Sequence, residues 1–144
     1  MRNRVAVLHG VNLDALDRRP AEHYGDLTFT QLERKIERFA HELGLEARFF
    51  QSNHEGEYVE EIHKAADYAD GLLLNPGAWT HYSWALRDAV EVSGLPAVEV
   101  HLSDVENREA FRRISVFEGV CVARVYGKGV EGYRDALVAL KERF

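Results

Sequence analysis

Short apolar runs alternate along the chain with stretches of helical period. Val5–His9 is a compact apolar run and reads as a buried strand. Leu32, Ile36, Phe39 and Leu43 recur at spacings of 4, 3 and 4, which places them on one helical stripe. Thr30-x-x-Glu33 is spaced to cap that helix and Gly44 to end it. A second strand is predicted over Leu45–Gln51. Ser52-Asn53-His54-Glu55, read as another capping box, then opens a helix with Tyr58, Ile62, Ala65 and Ala69 inward. Gly71–Leu74 reads as a third strand, broken by Asn75-Pro76-Gly77. The next helix is expected from about Thr80 to Val92, with Ala85, Leu86 and Ala89 facing in. Ala97–His101 reads as a fourth strand, Asp104–Phe111 as a polar turn or two of helix, and Gly119–Tyr126 as a fifth strand. Val130–Phe144 closes the chain as a helix that packs Tyr133, Leu137 and Leu140. Between Gly10 and Gly25 no period is visible, and a long loop is expected.

Five strands alternating with helices imply an α/β domain, a parallel sheet covered on both faces. The order 2-1-3-4-5 suits five strands of this length, a flavodoxin-like, doubly wound arrangement. At 144 residues the chain is expected to be one domain, residues 1–144. Ligands of such sheets sit beyond the carboxyl ends of the strands, which directs attention to the segments after strands one, three and four.

Composition narrows the partners. Lys plus Arg is 18 against 24 Asp plus Glu, a net charge of −6. Long-range attraction to nucleic acid or to an anionic membrane is therefore not expected. Any anionic ligand must be held by a local cluster of donors. Cys121 is the lone cysteine. It excludes an internal disulfide and a four-cysteine zinc site, and it fits a reducing, cytoplasmic location. No apolar run approaches the roughly 18 residues of a membrane span.

The three rim segments carry unusual residues. The first holds Asn12, Arg18, Arg19 and Tyr24. The second holds Asn75, Trp79 and His81. The third holds Glu99, His101 and Ser103, with Arg108 and Arg112 on the following helical segment. Taken singly, each has a plainer reading. Asn is a common turn former after strands, His81 sits at the first turn of a helix, and Arg18 with Arg19 resembles a solvated pair. Trp79, Tyr82 and Trp84 read as packing or subunit contacts. Convergence on one rim is what favours chemistry. Gly127-x-Gly129-x-x-Gly132 matches a dinucleotide fingerprint, but only 12 residues follow it. There is no second strand to bring the acidic ribose ligand, so the glycines read as a tight strand-to-helix turn. No P-loop, nucleophile elbow or H-E-x-x-H pattern is present.

At these segments the chain closely resembles the type II 3-dehydroquinate dehydratases, over about Val5 to Leu140. The family's first signature, N-G-P-N-L-N-x-L-G-x-R-x-P-x-x-Y-G, stands here as HGVNLDALDRRPAEHYG from His9. The others stand as QSNHEGEYVEEIHKA from Gln51, NPGAWTHYSWALRDA from Asn75 and VEVHLSDVENREAFRR from Val98. His9 replaces an Asn, Val11 a Pro and Asp17 a Gly, and Pro20 comes one place early. These departures lie in or beside the first loop, the family's mobile lid, and leave Asn12, Arg19 and Tyr24 in place.

The resemblance implies elimination of water from 3-dehydroquinate, a small-molecule substrate, without metal or organic cofactor. Tyr24 matches the base. A free phenol has a pKa of about 10, so a phenolate at neutral pH needs about 4 kcal/mol of differential stabilisation. Arg19 is the matching cation, with Arg108 placed near it. His101 matches the general acid, oriented by Glu99, and Asn12 the residue that holds a water against the enolate oxygen. Asn75 with the N–H groups of Leu102 and Ser103 matches the carboxylate anchor, and His81 and Arg112 match the groups for ring hydroxyls. Asp88 matches a residue that reaches a neighbouring subunit's site. From the residues alone it reads as a surface neighbour of Arg87, although its spacing of seven from His81 puts both on one helical face. The family assembles trimers into a dodecamer, so a homo-oligomer is implied. Two rivals use the same sheet. One is a non-catalytic binding module, and the other a flavin binder, for which the Ser/Thr-rich phosphate turn after the first strand is missing.

Overall fold

In the computed structural model, which describes residues 2–144, five parallel strands form one sheet in the order 2-1-3-4-5. They are β1 (Arg4–His9), β2 (Glu46–Gln51), β3 (Gly71–Asn75), β4 (Ala97–Val100) and β5 (Ala123–Val125). The flavodoxin-like arrangement expected from the pattern is thus the one observed. The central strands β1, β3 and β4 are almost continuously buried, as strands covered on both faces must be. Helices α2 (Phe29–Glu42) and α5 (Glu131–Lys141) cover one face, packing Leu32, Ile36, Tyr133 and Leu137 against Val5, Val7, Leu73 and Val98. Helices α3 (Glu55–Tyr68) and α4 (Trp84–Ser93) cover the other, packing Tyr58, Ile62, Leu86 and Ala89 against Ala6, Leu8, Leu72 and Leu74. Among the described residues, no helix is long and apolar enough to cross a membrane.

Several local expectations are corrected. Residues 10–25 are not a loop throughout. They hold a six-residue 3-10 segment, Leu13–Arg18, and a one-turn helix α1, Ala21–Tyr24, elements too short to show a period. The capping box of α2 is Thr28 with Gln31, not Thr30 with Glu33. Phe29 already lies in the helix, so the cap falls two residues earlier. The second box does not form either. Ser52 accepts from the His54 N–H at 2.9 Å and donates to Glu57 rather than pairing with Glu55. The helix expected from Thr80 is divided. Gly77–His81 is a separate 3-10 segment, Ser83 caps α4, and α4 starts at Trp84. The phase shifts accordingly, so Ala85 is exposed and Val90 buried. β5 spans three residues, not eight, because its partner β4 is short and pairs with it only from Val98 to Val100.

The carboxyl ends of β1 and β3 press together. A Cβ on Gly10 would lie 2.4 Å from the Pro76 carbonyl oxygen, and the Gly10 N–H donates to Asn75 O at 2.7 Å. That contact brings the first and second rim segments onto one floor. His9 is fully buried away from it, its ring edge-on to Phe29 at 4.8 Å, with Nε2 3.3 Å from a Glu33 carboxylate oxygen.

Candidate active site

A small cleft opens beyond the carboxyl ends of the strands. Arg19, Tyr24, Asn75, His81, His101, Leu102, Ser103 and Arg112 line it, with Leu13 and the Gly77–Ala78 turn. Eight of the residues singled out in the sequence therefore share one cavity. Glu99 stands directly behind His101, and Arg108 reaches in from outside the lining. Asn12 is exposed at the root of the first crossover. Asp88 is exposed on α4 and does not line the cleft. It shares no helix with His81, which belongs to the preceding 3-10 segment.

The wall formed by β4 is dry. Glu99 is 1% exposed and His101 5%. A Glu99 carboxylate oxygen lies 2.5 Å from His101 Nε2 and also accepts from the Thr80 hydroxyl, while the other accepts from Ser115 Oγ at 2.6 Å. Arg124 Nε stands 3.6 Å off. Burial alone would disfavour the charged carboxylate. The hydrogen bonds from His101, Ser115 and Thr80 outweigh that cost and hold its pKa below the ordinary value. A carboxylate only accepts, so His101 Nε2 carries a proton and Nδ1 is left for the cleft. Thr80 and Ser115 were not foreseen. A hydroxyl leaves no periodic signal, and Ser115 is 16 residues from the carboxylate it serves.

The first crossover faces this wall with a phenol held between two cations. Arg19 Nη2 and Arg108 Nη1 each lie 2.5 Å from Tyr24 Oη. The Arg19 guanidinium also stacks 3.8 Å from the ring centroid. Burial, and then the positive fields of Arg108 and Arg112, lower the Arg19 pKa, against the opposing effect of Tyr24. Arg108 falls between two 3-10 turns, Val105–Asn107 and Ala110–Arg113, rather than on a helix with Arg112. That placement turns it toward Tyr24.

The floor offers neutral donors. The N–H groups of Gly127 and Gly129 donate to Ser103 O and Leu102 O, at 3.0 and 3.3 Å. The glycine-rich turn thus occupies the carbonyls, and the N–H groups of Leu102 and Ser103 donate to no group among the described residues. Asn75 is buried. Its Nδ2 donates to Tyr133 Oη at 2.9 Å, and its Oδ1 accepts from the Gly77 N–H at 3.2 Å. One amide proton remains for a ligand. His81 Nδ1 donates to Ile114 O at 2.7 Å. Burial lowers the His81 pKa against that bond, with His101, Arg112 and Arg124 adding to the lowering. A neutral imidazole so held turns Nε2 into an acceptor. Among the described residues, no three His, Cys, Asp or Glu side chains gather where they would hold a metal ion.

The family model described as dehydroquinase class II matches residues 3–141. A 3-dehydroquinate dehydratase of Caldicellulosiruptor saccharolyticus is 45% identical over 140 residues, covering 96% of this chain and 97% of that protein. One of Pelotomaculum thermopropionicum is 48% identical over 136 residues, 94% of each. The crystal structure of a type II dehydroquinase from Butyrivibrio crossotus superposes with a TM-score of 0.92 at 39% identity, covering 97% of this chain and 98% of the other.

Proposed function

The chain belongs to the class II dehydroquinase family, and from that premise we propose how its cleft turns 3-dehydroquinate into 3-dehydroshikimate and water. The activity itself, that of a 3-dehydroquinate dehydratase and so of a hydro-lyase, follows from the family and its relatives. The observation that carries the mechanism is the Tyr24 oxygen held at 2.5 Å by each of two guanidiniums, in one cleft with a His101 backed by Glu99.

The two guanidiniums on the Tyr24 oxygen are the groups that compensate the charge of a phenolate base in this reading. Tyr24 then takes the proton α to the ketone, and the electron pair moves onto the carbonyl oxygen as an enolate. Asn12 holds a water against that oxygen, a neutral donor where charge develops. Collapse of the enolate expels the β-hydroxyl, which leaves as water with a proton from His101. Glu99 keeps the imidazole oriented and compensates its charge before the transfer. The proton gained by Tyr24 returns to His101 through solvent, so the cycle balances. Asn75 and the free N–H groups of Leu102 and Ser103 bind the substrate carboxylate. His81 and Arg112 bind ring hydroxyls, the first as an acceptor and the second as a donor.

Asp88 stands on an exposed face beside Trp84, itself 64% exposed, with Tyr82 at 60% nearby. We assign this face to a second copy of the chain, whose cleft Asp88 completes. Trimers packed into a dodecamer, in the reducing cytoplasm that the lone Cys121 fits, are the assembly this reading implies.

The decisive assay mixes purified chain with 3-dehydroquinate and follows the ultraviolet absorbance of the conjugated enone. Steady turnover is expected, and its absence refutes the reading. For the shared site, Asp88→Asn and Tyr24→Phe proteins, each impaired alone, are expected to regain rate when their subunits are mixed. No gain on mixing places Asp88 outside the neighbour's cleft.

A further inference from the structure

The segment after β2 carries a side chain that the mechanism does not use. We propose that Asn53 is a positioning residue that fixes the backbone at Asn12 and so sets where the first crossover enters the cleft. The proposal rests on the role given to Asn12 above.

Asn12 is the sole non-glycine residue with positive φ among the described residues, at 69°. Such a conformation is sterically costly and needs support, although Asn bears it better than most. Its N–H donates to Asn53 Oδ1 at 2.8 Å. Gln51 Nε2 donates to the same oxygen at 3.3 Å and to Gly10 O at 3.2 Å. Asn53 Nδ2 donates in turn to Asp14 Oδ2 at 3.0 Å. The Asn53 amide thus ties Asn12 to Asp14, while Gln51 holds Gly10 on the preceding side. The register supplies the placement: His9 pairs with Gln51, and the Ser52 N–H donates to His9 O at 3.2 Å, so the chain leaving β2 runs beside the chain leaving β1. On the β3 side the same turn is confined by backbone contact, since a Cβ on Gly77 would meet Val11 O at 2.7 Å. On the β2 side the confinement comes from side chains, with Asn53 bonded directly to the Asn12 N–H. Asn53 is exposed, so the core does not depend on it.

The test is a polarity swap. Asn53→Ala is expected to lower kcat by about tenfold to a hundredfold, the scale set by a small misplacement of a catalytic group. KM changes far less, and hydrogen exchange quickens across residues 10–25 but not in α5. Asn53→Asp keeps the acceptor for the Asn12 N–H yet sets a second carboxylate against Asp14, so it is also slow. Adding Asp14→Asn to Asn53→Asp restores a donor–acceptor pair in reverse and is expected to recover most of the rate and the slow exchange. Wild-type kcat and exchange in Asn53→Ala, or a double variant no better than Asn53→Asp alone, overturn the proposal. Asn12→Ala is measured in parallel. If it is slow while Asn53→Ala is not, the positioning role fails and the mechanism stands. If Asn12→Ala keeps full rate, the role of Asn12 falls and takes this proposal with it, whatever the exchange shows.

Discussion

The two halves of the cleft are built on opposite physical terms. The β4 wall is a desolvated network in which each Glu99 oxygen has an accepted hydrogen bond, from Thr80, Ser115 or His101. Its geometry is paid for by burial and by satisfied polar groups, so it is organised before substrate arrives. The first crossover is half-exposed and made of 3-10 turns and one turn of α-helix. It draws two guanidiniums onto one phenol oxygen, and those cations repel each other unless negative charge lies between them. The wall therefore supplies position through satisfied hydrogen bonds, and the crossover gathers positive charge around one phenol oxygen. A fold can thus set a buried imidazole and a half-exposed phenol in the same cavity.

Substitutions on the two sides should separate rate from stability. The largest loss is expected from Tyr24→Phe, toward about 10⁴-fold in kcat, the upper range for a general base. Its melting temperature should stay near wild type, because Phe keeps the ring that packs against the core and only a hydroxyl at a half-buried site is lost, a change of about 0.5 kcal/mol or less. Steady-state kinetics and a thermal melt on one preparation check both. Retention of wild-type rate breaks the base assignment. His101→Ala is expected to lose less rate, toward about 10²-fold, since water can protonate a departing hydroxyl in its place. It should also lose stability, by about 1–3 kcal/mol, because Glu99 stays buried with one bond fewer. If Tyr24→Phe is the less stable of the two, the contrast between the halves is wrong.

The strand order and the rim were legible because buried parallel strands are short unbroken apolar runs, and Val5–His9 and Gly71–Leu74 show them plainly. The stripe of Leu32 and Ile36 was legible for the same kind of reason. What the pattern could not carry was anything shorter than two helical turns. The 3-10 segments at Leu13–Arg18 and Gly77–His81 have no amphipathic period, so a loop was expected for one, and the end of the other was joined to the helix expected from Thr80. The caps failed by small offsets, as with Thr28 against Thr30. In the site, Tyr24 and His101 stood out only by converging with others on one rim and through motif resemblance. Thr80, Ser115 and Asn53 were silent because the bonds that matter, to Glu99 or to the first crossover, reach residues far away in sequence.

The smallest effect bears on why the wall is rigid. The folded pKa of Glu99 lies below its ordinary value, through bonds that outweigh burial. A carboxyl with a depressed folded pKa stabilises the fold above its unfolded pKa of about 4.5, and that stabilisation is lost as pH falls through the folded value. Ser115→Ala removes one donor to this carboxylate and an acceptor for the Phe117 N–H. At pH 7 the variant should be less stable by about 1–2 kcal/mol, within the range for a hydrogen bond to a charged group. The gap should narrow as pH is lowered from 5 toward 3, because the wild type then protonates the group that Ser115 serves. Melting temperatures of both proteins across that window read the gap directly. A gap of constant size would mean that Ser115 acts as an ordinary neutral hydrogen bond. The wall would then owe its order to packing alone, and its distinction from the charge-built crossover would disappear. Tyr24→Phe, carried through the same titration, should show no such convergence, since nothing in the crossover shares the buried carboxylate.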